Sequence, residues 1–154
     1  MSVPYQRILV PLDGSEVAQI ALPHAEDLAM RTGATLVLMQ VVPPSSDHML
    51  MAPGTTVAVT VPKDEHMARL VEEAHARLAE QVSRLGHLHI KAETMVDIGS
   101  PAGKLVDYAA AHAIDLIVMC THGYSGLSRW QHGSVTTKVL AAASCPVLVI
   151  RPEG

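Results

Sequence analysis

The sequence predicts an α/β protein built around an open parallel sheet, and three observations lead to this fold class. Five short apolar segments alternate with segments whose apolar residues have helical spacing. The strand candidates are mostly continuous apolar runs, which is typical of parallel strands covered by helices on both faces. Apolar residues make up 49% and charged residues 17% of the 154 residues, so a sizeable core can be buried. This length fits a single domain over residues 1–154.

The first strand and the first helix are predicted at the start of the chain. Residues 8–10 are an apolar run that ends in a turn. Helical spacing follows over residues 17–29, with Ser15 as a plausible N-cap and Gly33 where a helix stop is expected. Pro23 lies inside this pattern and should kink the helix or shift its first turn.

The second strand is predicted at residues 35–42, and an unusual segment follows it. Residues 43–63 contain four prolines and show no sustained helical period. A stretch of this length without regular structure is usually functional or mobile in a compact domain. We therefore predict a long mobile loop, within which the alternation of Val57, Val59 and Val61 allows a short edge strand.

The third strand lies between two predicted helices. An amphipathic pattern over residues 67–85 predicts a long helix that stops at Gly86. Residues 89–96 alternate between apolar and polar side chains, which predicts the third strand. The pair Ser100-Pro101 resembles an N-cap followed by proline in the first turn, and predicts a helix that runs to about residue 112.

The last two strands are predicted at residues 116–119 and 147–150, as short apolar runs. Between them, residues 121–133 form a polar segment punctuated by glycines, and Ser134 opens a helix. Parallel α/β sheets bind ligands at the carboxyl ends of their strands, where the winding direction reverses. The residues that follow each strand are therefore the first candidates for a site.

Composition narrows the function classes. The formal net charge is −4 and the pI is about 6.1, so neither a nucleic acid nor an anionic membrane is expected as the main partner. No run reaches the ~20 apolar residues of a membrane span, and the first residues do not resemble a signal peptide. The two cysteines, Cys120 and Cys145, are expected to be buried reduced thiols. We expect a cytoplasmic protein.

The segment over residues 121–134 has features suited to a phosphate. Its glycines allow close approach of the backbone, and the start of the next helix presents unpaired N–H groups and a partial positive charge. The hydroxyl of Ser134 could donate a further hydrogen bond. The alternative is an ordinary long loop in which Ser134 is an N-cap. The P-loop pattern and G-x-G-x-x-G are both absent, so the segment alone does not decide between the two.

The same segment resembles the nucleotide-binding signature of the universal stress protein family, G-x2-G-x9-G-[S/T]. Gly123 is followed by nine residues and then by Gly133-Ser134, while Cys120 stands where the signature has its first glycine. The opening R-I-L-V-P-L-D-G-S-E, the D-I-G-S-P at residues 97–101 and the closing S-C-P-V-L-V-I-R also resemble this family. The resemblance spans nearly the whole chain and points to the ATP-binding type.

The resemblance implies a five-stranded parallel sheet in the order 3-2-1-4-5, with helices on both faces. It also implies that residues near strands one and two surround adenine and ribose, and that residues near strand four hold the phosphates. The implied ATP-binding residues are Pro11, Leu12, Asp13, Val41, Gly99, Met119, Cys120, His122, Gly123, Arg129, Gly133, Ser134, Val135 and Thr136. The alternative for Asp13 is a turn aspartate that bonds its own backbone.

The implied function is that of a nucleotide-responsive regulator of the stress response. ATP or another adenine nucleotide would be the ligand, with Mg²⁺ held through the phosphates and no metal site of protein side chains alone. Two alternatives stay open: a family member that acts through protein partners without nucleotide, and a slow ATPase or nucleotidyl transferase. No catalytic set is evident in the sequence. A homodimer is expected through the edge strand at residues 147–150.

Overall fold

The computed structural model describes residues 4–44, 48–51, 58–61, 63–121 and 134–153. Twelve helices and strands are assigned within these ranges. In chain order they are β1 (Arg7–Pro11), α1 (Glu16–Gln19), α2 (Ala21–Thr32), β2 (Thr35–Val42), β3 (His48–Met51), β4 (Ala58–Val61), α3 (Lys63–His87), β5 (Ala92–Ile98), α4 (Pro101–Ala111), β6 (Leu116–Cys120), α5 (Ser134–Ala142) and β7 (Val147–Ile150).

Five of the strands form one parallel sheet in the order β5-β2-β1-β6-β7. Numbered among themselves along the chain, these strands have the order 3-2-1-4-5, so the predicted fold class and strand order are confirmed. The chain winds outward from β1 to β5, then returns to the far side of β1 at β6. The winding direction therefore reverses between β1 and β6, which is the point where such sheets bind ligands.

Helices cover both faces of this sheet, and alternating strand residues point to each face. On one face, Ile8, Val10 and Leu38 pack with apolar residues of α1, α2 and α3. On the other face, Leu9 and Met39 pack with residues of α4 and α5. Both clusters are aliphatic, as expected for a chain without phenylalanine.

The first predicted helix is present but is divided in two. Ser15 caps α1, since its hydroxyl accepts a hydrogen bond from the Ala18 amide at 3.2 Å. The break falls at Ile20, and Pro23 lies in the first turn of α2, where a missing amide hydrogen costs little. Gly33 ends α2 with a φ of 74°, the left-handed conformation that the expected helix stop requires.

The end of α3 and the start of β5 differ from the prediction. The helix continues through Gly86 to His87. The next residues form a turn in which His89 has a φ of 58° and the Ile90 amide donates to the Leu85 carbonyl at 3.1 Å. This turn occupies the start of the predicted strand, so β5 begins at Ala92 instead of His89.

The segment 43–63 contains a hairpin that the sequence did not predict in full. Strands β3 and β4 pair antiparallel as a separate two-stranded sheet. The short strand that the sequence allowed is present as β4 of this hairpin, from Ala58 to Val61. Residues 45–47, 52–57 and 62 lie outside the described part of the chain. The mobility of the segment stays a prediction.

Candidate functional site

The two central strands of the sheet separate at their carboxyl ends. β1 and β6 are in register at only two positions, Ile8 with Leu116 and Leu9 with Ile117. Beyond them, β1 stays paired with β2, and β6 stays paired with β7 up to Cys120 and Ile150. The strands on either side therefore hold β1 and β6 while a crevice opens between them.

A cavity of about 500 Å³ lies at this crevice. This volume falls within the range of small-molecule sites, roughly 300–1,000 Å³. Its walls come from the carboxyl ends of β1, β2 and β6 and from the adjoining parts of α1, α3, α4 and α5. Much of the lining is apolar, and includes Met39, Val41, Leu70, Leu105 and Met119.

Asp13 lies at the rim of the cavity, two residues after β1. Its Oδ1 accepts hydrogen bonds from the Ser15 amide at 2.9 Å and from the Ser15 hydroxyl at 2.6 Å. Gly14 between them has a φ of 85°, a conformation that a residue with a Cβ rarely adopts. The turn aspartate anticipated as an alternative is thus present, and the same residue lines the cavity.

The wall opposite α3 includes the first turn of α5. This helix begins at Ser134, as predicted, and Val135 and Thr136 line the cavity. Thr136 is only 1% exposed, and its Oγ1 has no hydrogen-bond partner among the described residues. A buried hydroxyl without a partner costs roughly 1–3 kcal/mol, so this position favours a ligand that accepts its hydrogen.

Cys120 brings a thiol into the cavity at the end of β6. The side chain is 7% exposed, and its Sγ lies 3.6 Å from the Thr121 carbonyl oxygen. Burial, together with the negative charge of Asp13, raises the pKa of the Cys120 thiol. The thiol is therefore protonated near neutral pH, and it occupies space that a glycine would leave open. Both cysteines are free.

The cavity brings together eight of the fourteen residues that the resemblance implied. They are Pro11, Leu12, Asp13, Val41, Met119, Cys120, Val135 and Thr136. Gly99 does not contribute to the lining formed by the described residues; its amide donates to the Val42 carbonyl at 3.0 Å and joins β5 to β2. Ser134 starts α5. His122, Gly123, Arg129 and Gly133 lie outside the described residues.

Sequence reasoning missed the contribution of α3 to the site. Glu73 and Arg77, one turn apart, bring two charged groups to the cavity wall. On the sequence they resemble an ordinary solvent-facing pair. The available signal was Gln40, a polar residue within an otherwise apolar strand. Gln40 is 6% exposed and accepts a hydrogen bond from Arg77 Nη2 at 3.4 Å.

Within the described ranges, no three histidine, cysteine, aspartate or glutamate side chains group closely enough to hold a metal ion. Of the helices in the described part of the chain, none has the length and apolar character needed to cross a bilayer.

Residues 4–151 match the family model described as the universal stress protein family. Two curated relatives agree with this match. Universal stress protein MJ0577 of Methanocaldococcus jannaschii is 29% identical, and the alignment covers 100% of this chain and 99% of the relative. Universal stress protein YxiE of Bacillus subtilis is 30% identical, with 96% and 99% covered.

Solved structures share the fold. The structure of MJ0577 superposes with a TM-score of 0.79 at 25% identity, covering 99% of both chains. The structure of UspA from Lactobacillus plantarum gives a TM-score of 0.73 at 32% identity, covering 97% of this chain and 100% of the other. Two further structures share the fold at 21% and 22% identity; one is a universal stress protein in complex with cAMP, the other the Archaeoglobus fulgidus protein in complex with dAMP.

Proposed function

Because the chain belongs to the universal stress protein family, we propose that it binds an adenine nucleotide, ATP, in the cavity at the carboxyl ends of β1, β2 and β6. The observation that carries this proposal is the buried Thr136 hydroxyl in the first turn of α5. Thr136 lines a cavity large enough for a nucleotide, and its hydroxyl has no hydrogen-bond partner among the described residues. The bound cAMP and dAMP of two structures with this fold support the adenine class of ligand.

The phosphates are assigned to the α5 side of the cavity. The first amides of a helix have no partner within the helix, and its dipole favours negative charge at that end. Thr136 adds a hydroxyl donor in the same turn. Gly133, Gly123, His122 and Arg129 would complete this side, as the family signature implies. Mg²⁺ would be held by the phosphate oxygens and water.

The base and ribose are assigned to the remaining walls. Val41, Met119 and Leu105 provide apolar surface on which a planar base can pack. Asp13, at the rim, would accept hydrogen bonds from the ribose hydroxyls through a carboxylate that its turn already orients. Cys120 narrows the space between the two regions without closing the cavity, which still measures about 500 Å³.

The biological role that we propose is a nucleotide-responsive regulator of the stress response in the cytoplasm. The protein would act as a homodimer joined through β7. Binding and release of the nucleotide would be its regulatory signal. Slow hydrolysis of ATP is the competing activity, and analysis of the recovered nucleotide distinguishes the two.

A pair of adjacent threonines provides the test. Thr136→Val removes the buried hydroxyl at nearly constant volume, whereas Thr137→Val makes the same change at the next, exposed residue. A hydrogen bond to a charged group is worth ~1.5–3 kcal/mol. Thr136→Val should therefore weaken ATP binding about ten- to a hundredfold in calorimetric titration. Thr137→Val should bind as the wild type does.

Two results would contradict the proposal. One is a wild-type protein that binds neither ATP, ADP nor AMP at millimolar concentration in the presence of Mg²⁺. The other is equal affinity of wild type and the Thr136 variant, which would place the phosphates elsewhere. Circular dichroism of both variants serves as the control for folding.

A further inference from the structure

We infer that Arg77 of α3 is a positioning residue that holds the Asp13–Gly14–Ser15 turn in the geometry required for binding. The turn and the arginine are in contact. The consequence for nucleotide affinity rests on the proposed function, whereas the consequence for the turn itself does not. Three observations carry the inference: the packing of the guanidinium on Gly14, its anchor on β2, and its place between two cavities.

The guanidinium packs face-on against Gly14. A Cβ placed on Gly14 would lie 3.2 Å from Arg77 Cζ, 3.2 Å from Nη2 and 3.3 Å from Nε. Nearly equal distances to three atoms of one plane mean that the plane turns its face toward the glycine. The absence of a side chain at Gly14, whose φ is 85°, is what allows this approach.

A hydrogen bond to Gln40 restricts rotation of the guanidinium within its own plane. Arg77 Nη2 donates to Gln40 Oε1 at 3.4 Å, and Gln40 is 6% exposed within β2. The side chain is thus held between a central strand of the sheet and the turn. An arginine suits this position because its planar group is rigid, whereas a lysine ammonium would reach as a point charge without a face.

Arg77 also separates two cavities. It lines the cavity of about 500 Å³ and a smaller one of about 150 Å³ between α1 and α3, together with Leu12, Gly14 and Gln40. Its Nε is buried and has no hydrogen-bond partner among the described residues. Removal of the guanidinium would join the two cavities behind the turn, so the turn would lose its support from that side.

Arg77 would affect nucleotide binding through Asp13. The two hydrogen bonds from Ser15 orient the Asp13 carboxylate, and both depend on the conformation of Gly14. A turn that loses the guanidinium beneath Gly14 samples other conformations, and the carboxylate then points in more than one direction. Arg77 acts through Asp13 and need not touch the nucleotide.

The test compares Arg77→Met with Arg69→Met, the same change at an exposed position two turns earlier on α3. Hydrogen exchange of the free protein reads the turn directly, because the Ser15 amide is bonded to Asp13. We expect this amide to exchange roughly tenfold faster in the Arg77 variant, equivalent to ~1.4 kcal/mol. The Arg69 variant should exchange as the wild type does.

Titration with ATP tests whether Arg77 acts through Asp13. Arg77→Met should weaken binding about tenfold in the wild-type background and have little effect in the Asp13→Asn background. Arg77→Lys, which keeps the charge without the planar face, should give an intermediate loss of affinity and of Ser15 protection. It also supplies the comparison if the methionine variant does not fold.

The outcomes separate this inference from the proposed function. Unchanged exchange at Ser15 in both the methionine and lysine variants would overturn the inference, whether or not ATP binds. Equal losses of ATP affinity with and without Asp13 would overturn it too, because Arg77 would then contact the ligand itself. Faster exchange at Ser15 in a protein that binds no nucleotide would support the positioning role and refute the proposed function.

Discussion

Cys120 is the residue at which this chain departs most clearly from the glycine signature that it otherwise matches. Its thiol lines the cavity, and burial with the nearby Asp13 charge raises its pKa. Both effects make the thiolate scarce at neutral pH, and the thiolate is the species that alkylating reagents attack. Alkylation of Cys120 should therefore be slow, and its rate should depend on what occupies the cavity.

We predict that ATP protects Cys120 from alkylation. In a Cys145→Ser background, Cys120 should react slowly with iodoacetamide and faster as pH rises. ATP at ten times its dissociation constant should slow the reaction about tenfold, in proportion to the unoccupied fraction. The rate of mass increase measures this directly. In a Cys120→Ser background, Cys145 should react at the same rate with and without ATP. Equal rates for Cys120 in both conditions would show that the nucleotide does not reach it.

An ion pair joins β1 and β5 near the amino-terminal ends of these strands. Arg7 of β1 makes two hydrogen bonds to Glu93 of β5, at 3.0 and 2.9 Å, across the intervening strand β2. Its Nε also donates to the His112 carbonyl at 3.0 Å, at the end of α4. The hydrogen bonds and the charge of Arg7 lower the pKa of Glu93 below its ordinary value of 4.5. The folded state therefore favours the ionised carboxylate.

The sign of this shift sets a pH dependence. A lowered folded-state pKa stabilises the protein fully above pH 4.5, and the stabilisation is lost as pH falls through that lowered value. The Glu93 side chain is 51% exposed, so screening limits the effect to about 1 kcal/mol or less. Glu93→Gln should lose this amount in urea unfolding at neutral pH and match the wild type in acid, below the lowered pKa. Asp27→Asn, at an exposed helical pair, should change little at either pH; a Glu93 effect that persists in acid would contradict the assignment.

The hairpin β3–β4 forms a two-stranded sheet of its own. A two-stranded hairpin is marginal in water. We predict fast hydrogen exchange over residues 43–63 in the free protein, with slow exchange in β2 as the internal reference. ATP should slow exchange in this segment, since Val42 before it, Pro43 at its start and Leu70 after it line the cavity. Strong protection across the segment in the free protein would refute the prediction.

Elements that their own residues favour were predicted from the sequence, whereas features that depend on contacts with other parts of the chain were not. β6 and β7 were predicted because a short, continuous apolar run bounded by turn residues indicates a strand from its own residues, whatever its neighbours. The start of β5 was missed because Ile90, 7% exposed, is buried by the turn after α3, and burial in a turn has no period of its own. Strand order came from the family resemblance, since local patterns do not encode which strands pair.

The residues of the site also fall into a group that the sequence predicted and a group that it did not. Asp13, two residues after β1, and Cys120, the last residue of β6, were predicted from the family resemblance, and the parallel topology agrees because it brings all carboxyl ends to one edge. Arg77 was not predicted, since its role depends on the packing of α3 against a turn more than sixty residues earlier in the chain. Its helical spacing is the same as that of a solvated residue. Only a tertiary contact distinguishes the two.

The two edge strands of the sheet differ in the polarity of their residues. β5 forms one edge, and its polar residues Glu93, Thr94 and Asp97 discourage pairing with another chain. β7 forms the other edge and consists only of valine, leucine and isoleucine, with Leu148 38% exposed. Pro146, Arg151 and Pro152 protect the ends of this strand and leave its centre open.

We predict that two copies of the chain pair antiparallel through β7. A two-fold axis would bring the same strand from each copy together, so that each satisfies the free N–H and C=O groups of the other and covers its apolar side chains. Val149→Lys should weaken association strongly, because symmetry places two charges in one contact. Leu88→Lys introduces the same charge at an exposed apolar residue away from β7 and should leave association unchanged. Sedimentation velocity at micromolar concentration measures both. A monomeric wild type, or a Val149 variant that dimerises as the wild type does, would rule out this interface.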